Sequence, residues 1–319
     1  MDVPTVHTLL AGLADRANLA ITELFKHSVI RNTPTQLIRG NPRPGMYGMM
    51  RPGEDGVVMG YSVWEDLPPQ GIHAQAESLA RYREFEEIAR VLLKEQPEKT
   101  IKEFKSATLT ITAAIQQTKS PPQATAAVVL TKMIKALETQ LDLIRNLYDS
   151  CEGTTVLVPD TNALLYYPAL EDWVFADIPC FTLILLPTIL EELDGMKVGG
   201  RNETLRTKAE GLITRIKGYR ARGSGQASLL DGVPLRKGVS QLKARALEPK
   251  MEDSLPWLDP SNQDDRFIAG FLEVMRSYPR SAVVLITLDV NLQNKAAFAR
   301  LPFIEPPCPP QPTKPEQPT

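Results

Sequence analysis

From Thr154 onward the chain carries three near-continuous apolar runs: TTVLVPD, FTLILLP (181–187) and SAVVLITLD (281–289). Such runs offer solvent no polar face, so each predicts a strand buried on both sides of a sheet. Between them stand segments with helical apolar spacing: PTILEELDGMKVG, about 203–222, and DDRFIAGFLEVMRSY (264–278). Strand–helix alternation of this kind predicts an α/β fold with a central parallel sheet between helical layers. Residues 223–262 interrupt the alternation, and GSGQASLLDGVPLRKG and KMEDSLPWLDPSNQ read as inserted loops. Within the second of these, Trp257 or Leu258 lines a groove or covers it.

The N-terminal region, residues 1–150, reads as mainly α-helical around an irregular middle. Residues 32–71 hold RNTPTQ, RGNPRPG, MRPGEDG and LPPQG, and among these turns only VVMGYSVW (57–64) reads as a strand. Helical spacing runs from about Ala74 to Glu95 and from Ile101 to Thr118, with Pro97 between. The next predicted helix, about 121–150, places Leu130, Ile134, Leu137, Leu141, Ile144 and Tyr148 in alternating steps of four and three. That heptad seam calls for a partner helix. The preceding helix, reached through the KSPPQ turn, supplies one in an antiparallel hairpin; a second copy of the chain is the alternative, giving a homo-oligomer. A protein partner, substrate recruitment or regulation are the further roles open to this region.

The three cysteines are widely spaced with no CxxC pair, which indicates neither a zinc knuckle nor a disulfide framework and fits a reducing cytoplasm. MDVPTVHTLL lacks the pattern of a signal peptide. The longest apolar run, IPCFTLILLP (178–187), is far short of the roughly 20 residues a membrane-spanning helix needs. Seven of the last fifteen residues are proline, so 306–319 reads as a disordered tail. Net charge is −2, but residues 201–250 carry twelve Lys/Arg against four Asp/Glu, a local +8 that leaves −10 for the other 269. A basic run is a solvated face or a footprint for phosphates.

Open α/β sheets place their sites at the carboxyl ends of strands. Asp160 follows the first run and Asp289 the third; Glu191 and Glu192 lie one helical turn past the second, and Asp264 and Asp265 open the last long helix. Each has a plain reading as a helix cap or first-turn acid. Together they repel unless neutralised, and carboxylates without nearby His or Cys suit Mg²⁺ or Mn²⁺. The three histidines, His7, His27 and His73, all lie in the N-terminal half, which disfavours zinc and a His-based triad.

Four motifs in order resemble the PIN-domain family of Mg²⁺/Mn²⁺-dependent ribonucleases: VPDTNALL, LPTILEELDGMKVG, DDRFIAGFL and LITLDVNLQNKA. The resemblance covers about 155–305. It implies a PIN-like three-layer domain and an endoribonuclease that hydrolyses phosphodiester bonds of single-stranded RNA. Asp160, Glu192, Asp264 and Asp289 are then the catalytic, metal-binding acids. Asp265 has the same spacing to an apolar residue as Asp264 and competes for the third position. Asn162, Thr287 and Asn291 would orient the acids, and Arg201, Arg206, Lys208, Arg215 and Lys217 would hold RNA phosphates. The alternatives are a catalytically inactive PIN scaffold binding RNA or protein, and a nuclease acting on DNA. A toxin of a toxin–antitoxin pair is disfavoured by the long N-terminal region.

Overall fold

In a computed structural model, residues 5–32, 36–38, 46–50, 57–118, 124–148, 154–199, 203–222, 228–246, 248–278 and 281–310 are described. The chain divides into two compact units, one of residues 10–147 and one of residues 148–319 with 1–9.

The first unit is built on helices α1 (Val6–Lys26), α2 (Pro69–Leu92), α3 (Glu98–Ile115) and α4 (Ala126–Tyr148). Leu10, Leu13, Ala14, Ala17, Ile21 and Leu24 form one buried stripe on α1. Strand β1 (Ile30–Asn32) leads into the segment read as mostly turns, which holds three more, β2 (Gln36–Ile38), β3 (Met46–Met50) and β4 (Val57–Trp64). β4, the one strand expected there, pairs antiparallel with each of the other three.

The seam of α4 is displaced from the predicted one. Its buried positions are Val129, Met133, Leu137, Gln140 and Ile144, so Leu130, Ile134 and Leu141 lie beside the line. The displacing residue is polar. Gln140 is wholly buried, accepts from the Tyr82 hydroxyl (3.1 Å), and donates to the Phe104 carbonyl (3.3 Å) and Thr108 hydroxyl (2.9 Å). A buried amide is tolerated only when so satisfied, which ties α4 to α2 and α3 within one chain. The KSPPQ turn and the side chain of Tyr148 lie outside the described residues.

The second unit has a six-stranded sheet of β5 (Thr155–Pro159), β6 (Phe181–Leu185), β7 (Val233–Arg236), β8 (Ser240–Ala244), β9 (Val283–Ile286) and β10 (Phe303–Ile304). The order is β10-β9-β5-β6-β8-β7. All pairs are parallel except β7–β8, an antiparallel edge hairpin. The reading of GSGQASLLDGVPLRKG as an inserted loop is corrected at its end, where VPLR is β7 and forms a hairpin with SQLKA. SQLKA is in turn a full parallel partner of FTLIL, so the sheet is mixed. Residues 250–262 are turns with one short 3-10 helix, as a loop there requires. Helices α5 (Thr161–Tyr166), α6 (Pro187–Gly199), α7 (Glu203–Arg222), α8 (Gln263–Ser277) and α9 (Val290–Phe298) flank it. The central strands β5, β6 and β9 are buried along almost their whole length, as their apolar runs require. No helix among the described residues is long and apolar enough to cross a membrane.

Candidate nuclease site

Strands β5 and β9 are hydrogen-bonded neighbours, so the residues leaving their carboxyl ends emerge side by side. Asp160 is held there by its own amide, which donates to the Ile286 carbonyl at 2.9 Å. One carboxylate oxygen caps α5, accepting from the Ala163 amide at 2.6 Å; the other accepts from the Thr287 hydroxyl. Burial, with a smaller push from the charges of Asp289 and Glu192, raises its pKa from 3.8 to about 6 against those two hydrogen bonds. Asp160 is therefore a helix cap and also a buried acid at the sheet edge.

Thr287, fully buried, also accepts the Asp289 amide at 2.9 Å and so fixes both acids at once. Asp289 caps α9 through one oxygen, accepting the amides of Asn291 (2.8 Å) and Leu292 (3.3 Å), and its other oxygen faces the Asn162 amide at 3.4 Å. Asn291 thus acts through its backbone. Glu192, a turn and a half into α6, accepts the Thr161 hydroxyl at 2.5 Å.

Asp160, Glu192, Asp264 and Asp289 line one recess of about 70 Å³, together with Thr161, Asn162 and other neighbours. Asp265 does not. Its carboxylate is buried, accepts the Asp259 amide at 3.0 Å and pairs with Lys295 at 2.8 Å. Lys295 also reaches Asp264 at 3.3 Å and the Asn262 side chain at 3.1 Å. Asn262 in turn caps α8, accepting the amides of Asp264 and Asp265. Among the described residues, no three acidic, histidine or cysteine side chains stand close enough to hold one ion. The recess carboxylates are tied to these hydroxyls, amides and the lysine.

Of the five basic residues expected to face nucleic acid, Arg201 lies outside the described residues. The other four do not share one face of α7. Its buried stripe is Ala209, Leu212, Ile216 and Tyr219; Lys208 and Arg215 flank that stripe, whereas Arg206 and Lys217 point away from it. Arg206 pairs with Glu203 at 3.8 Å and Arg215 with Glu171 at 3.7 Å.

Thr161, Thr188 and Lys295 were not among the expected site residues. The threonine of the DTN triplet was a signal for Thr161, since a hydroxyl beside two acids is a ready donor. Thr188 lines the recess with a buried hydroxyl that has no partner among the described residues. Nothing local marks Lys295, which reaches the acids only through the packing of α9 beside α8.

The segments that bring four acids to this strand-edge recess all fall in one stretch of the chain. Residues 157–305 match the family described as PIN domain. This part of the chain is a PIN domain. Its fold is of the nuclease type. No curated protein matches the chain.

Proposed function

We propose that the PIN domain is a metal-dependent endoribonuclease that hydrolyses phosphodiester bonds of single-stranded RNA in the cytoplasm. The observation that carries this reading is the recess, where Asp160, Glu192, Asp264 and Asp289 arrive from four segments and bring no nitrogen or sulfur donor. That donor set fits Mg²⁺ or Mn²⁺, as does the buried Thr188 hydroxyl on the same wall, which has no partner among the described residues. No three of these acids stand close enough to share one ion, so the four would hold it by closing in on it. When bound, it supplies positive charge against the phosphate oxygens and acidifies the attacking water.

The protein's own residues do the rest. Thr287 aims the carboxylate of Asp160 and the backbone of Asp289, and Thr161 aims Glu192. Each hydroxyl gives its proton to a carboxylate, or accepts the next amide, and so leaves the other oxygen lone pairs for the ion. Asn162 restrains Asp289 in the same way.

Asp264, and not Asp265, is the third metal-holding acid in this reading. In full-length protein with labelled single-stranded RNA and DNA, Mg²⁺ or Mn²⁺ is expected to start cleavage of RNA. Asp264→Asn is expected to lower kcat/KM on the order of 10²–10³-fold with little change in melting temperature. Asp265→Asn should keep most of the activity per folded molecule. Equal loss in both variants would defeat the assignment, cleavage of DNA alone would change the substrate, and binding without turnover under any metal would leave a scaffold.

A further inference from the structure

Beside the acid recess lies an open groove of about 580 Å³ between α6 and α8, bounded by Glu191, Gly195, Ser261 and Arg266. Glu192 and Gln263 line both spaces, so groove and recess adjoin. A Cβ placed on Gly195 would meet nothing within 4 Å, so the α6 side is open. Among the described residues lining the groove, Arg266 is the one cation.

Arg266 reaches Glu191 at 2.9 Å and Glu248 at 3.2 Å, both through Nη2. The two acids are well exposed, with 60% and 36% of their side chains accessible, and Arg266 itself keeps 30%. Pairs screened by water to that degree contribute little stability, so a competing anion displaces them cheaply. The guanidinium plane suits two oxygens of one phosphate, and its Nε and Nη1 hydrogens are not engaged in either pair.

We propose that this groove seats the nucleic-acid strand next to the scissile bond, with Arg266 exchanging Glu191 for a phosphodiester of that strand. The proposal rests on the nuclease reading of the recess. It assigns Glu191 and Glu248 the role of holding Arg266 in the absence of substrate. Arg266 is a positioning residue: it fixes one phosphate so that the neighbouring phosphate falls over the acids.

The test is equilibrium binding of labelled single-stranded RNA and DNA by full-length protein in an Asp160→Asn background, where cleavage does not consume the probe. Arg266→Ala is expected to weaken binding about tenfold and to reduce the slope of log affinity against log salt by about 0.7, one phosphate contact on a single strand. Glu191→Gln with Glu248→Gln is expected to tighten binding several-fold, but only when Arg266 is present. A residue that merely clamped α6 to α8 would give no such gain. An unchanged affinity and salt slope in Arg266→Ala overturns the proposal. So does a gain from the two glutamines that persists without Arg266, which would be general charge removal. Should Arg266→Ala not fold, the two glutamine substitutions alone decide, since weaker or equal binding then sinks the exchange. Wild-type cleavage with Arg266-independent binding rejects the groove and keeps the nuclease; Arg266-dependent binding without cleavage under any metal does the reverse.

Discussion

Asp160→Asn is expected to stabilise the metal-free protein at neutral pH while abolishing cleavage. Asp160 is buried and its pKa is raised from 3.8 to about 6, so folding opposes its ionisation. Below about pH 4 the group is protonated in both states and costs nothing. As pH rises through about 4 to 6, the unfolded chain releases the proton first, and the fold loses stability until the folded group ionises too. Above pH 6 the loss is complete, at roughly 3 kcal/mol for a rise of this size. Asparagine removes the charge and keeps an oxygen for the Ala163 amide, although its NH₂ group meets Thr287 less well than a carboxylate does. A net gain of about 1–3 kcal/mol remains, a melting temperature higher by roughly 3–8 °C at pH 7.5 in chelator; near pH 4 the gain is gone and the variant melts with the wild type or slightly below it. Added Mg²⁺ should raise the melting temperature of the wild type and not of the variant, because an ion bound only by the fold stabilises it by mass action. Cleavage should fall on the order of 10³-fold or more, since several kcal/mol of transition-state charge stabilisation are lost. A variant that melts lower at pH 7.5, by the same margin at pH 4, would mean that Asp160 is an ordinary charged cap.

The acid that costs stability is also the easiest to find in the sequence. VLVPD is legible because a strand buried on both faces must be apolar throughout, so the first carboxylate after it stands out. The same holds for VVLITLD, and the parallel pairing of β5 with β9 then brings Asp160 and Asp289 together. The hairpin of β7 and β8 is hidden for the opposite reason. VPLR and SQLKA are only four and five residues long, and well-buried positions alternate with more exposed ones along them, so neither shows the continuous apolar run of a central strand. In the first unit, β1, β2 and β3 are three to five residues long amid prolines and glycines, too short for a period of two to show. On α4 a count of apolar residues passes over Gln140, the position that sets the buried line. The choice between Asp264 and Asp265 is equally closed to spacing arguments. The two are adjacent on α8 and both reach Lys295; what tells them apart is that Asp265 alone accepts the Asp259 amide and Asp264 alone lines the recess.

That separation makes Lys295→Met the substitution expected to destabilise most. Lys295 keeps a quarter of its side chain exposed and Asp265 about a tenth, so their ion pair is largely removed from water. Without the ammonium, Asp265 retains the Asp259 amide but stays buried with its charge uncompensated. Removing one partner of a fully buried pair costs about 3–5 kcal/mol; the partial exposure of Lys295 brings the expected loss to about 2–3 kcal/mol. Methionine preserves the aliphatic bulk, so the loss reports charge and not packing. Adding Asp265→Asn to Lys295→Met should recover much of it, since a neutral amide is far cheaper to bury than a lone carboxylate. Denaturant unfolding of the wild type, both single variants and the double variant measures the coupling. Strict additivity would show that the pair is solvated in solution and that Asp265 does not depend on it. The coupling also bears on the recess, because the same ammonium touches Asp264 and the Asn262 cap of α8. Activity in the double variant should therefore stay below wild type even where stability is restored: the Asp265→Asn change lets the fold close without the cation that Asp264 pairs with at the recess.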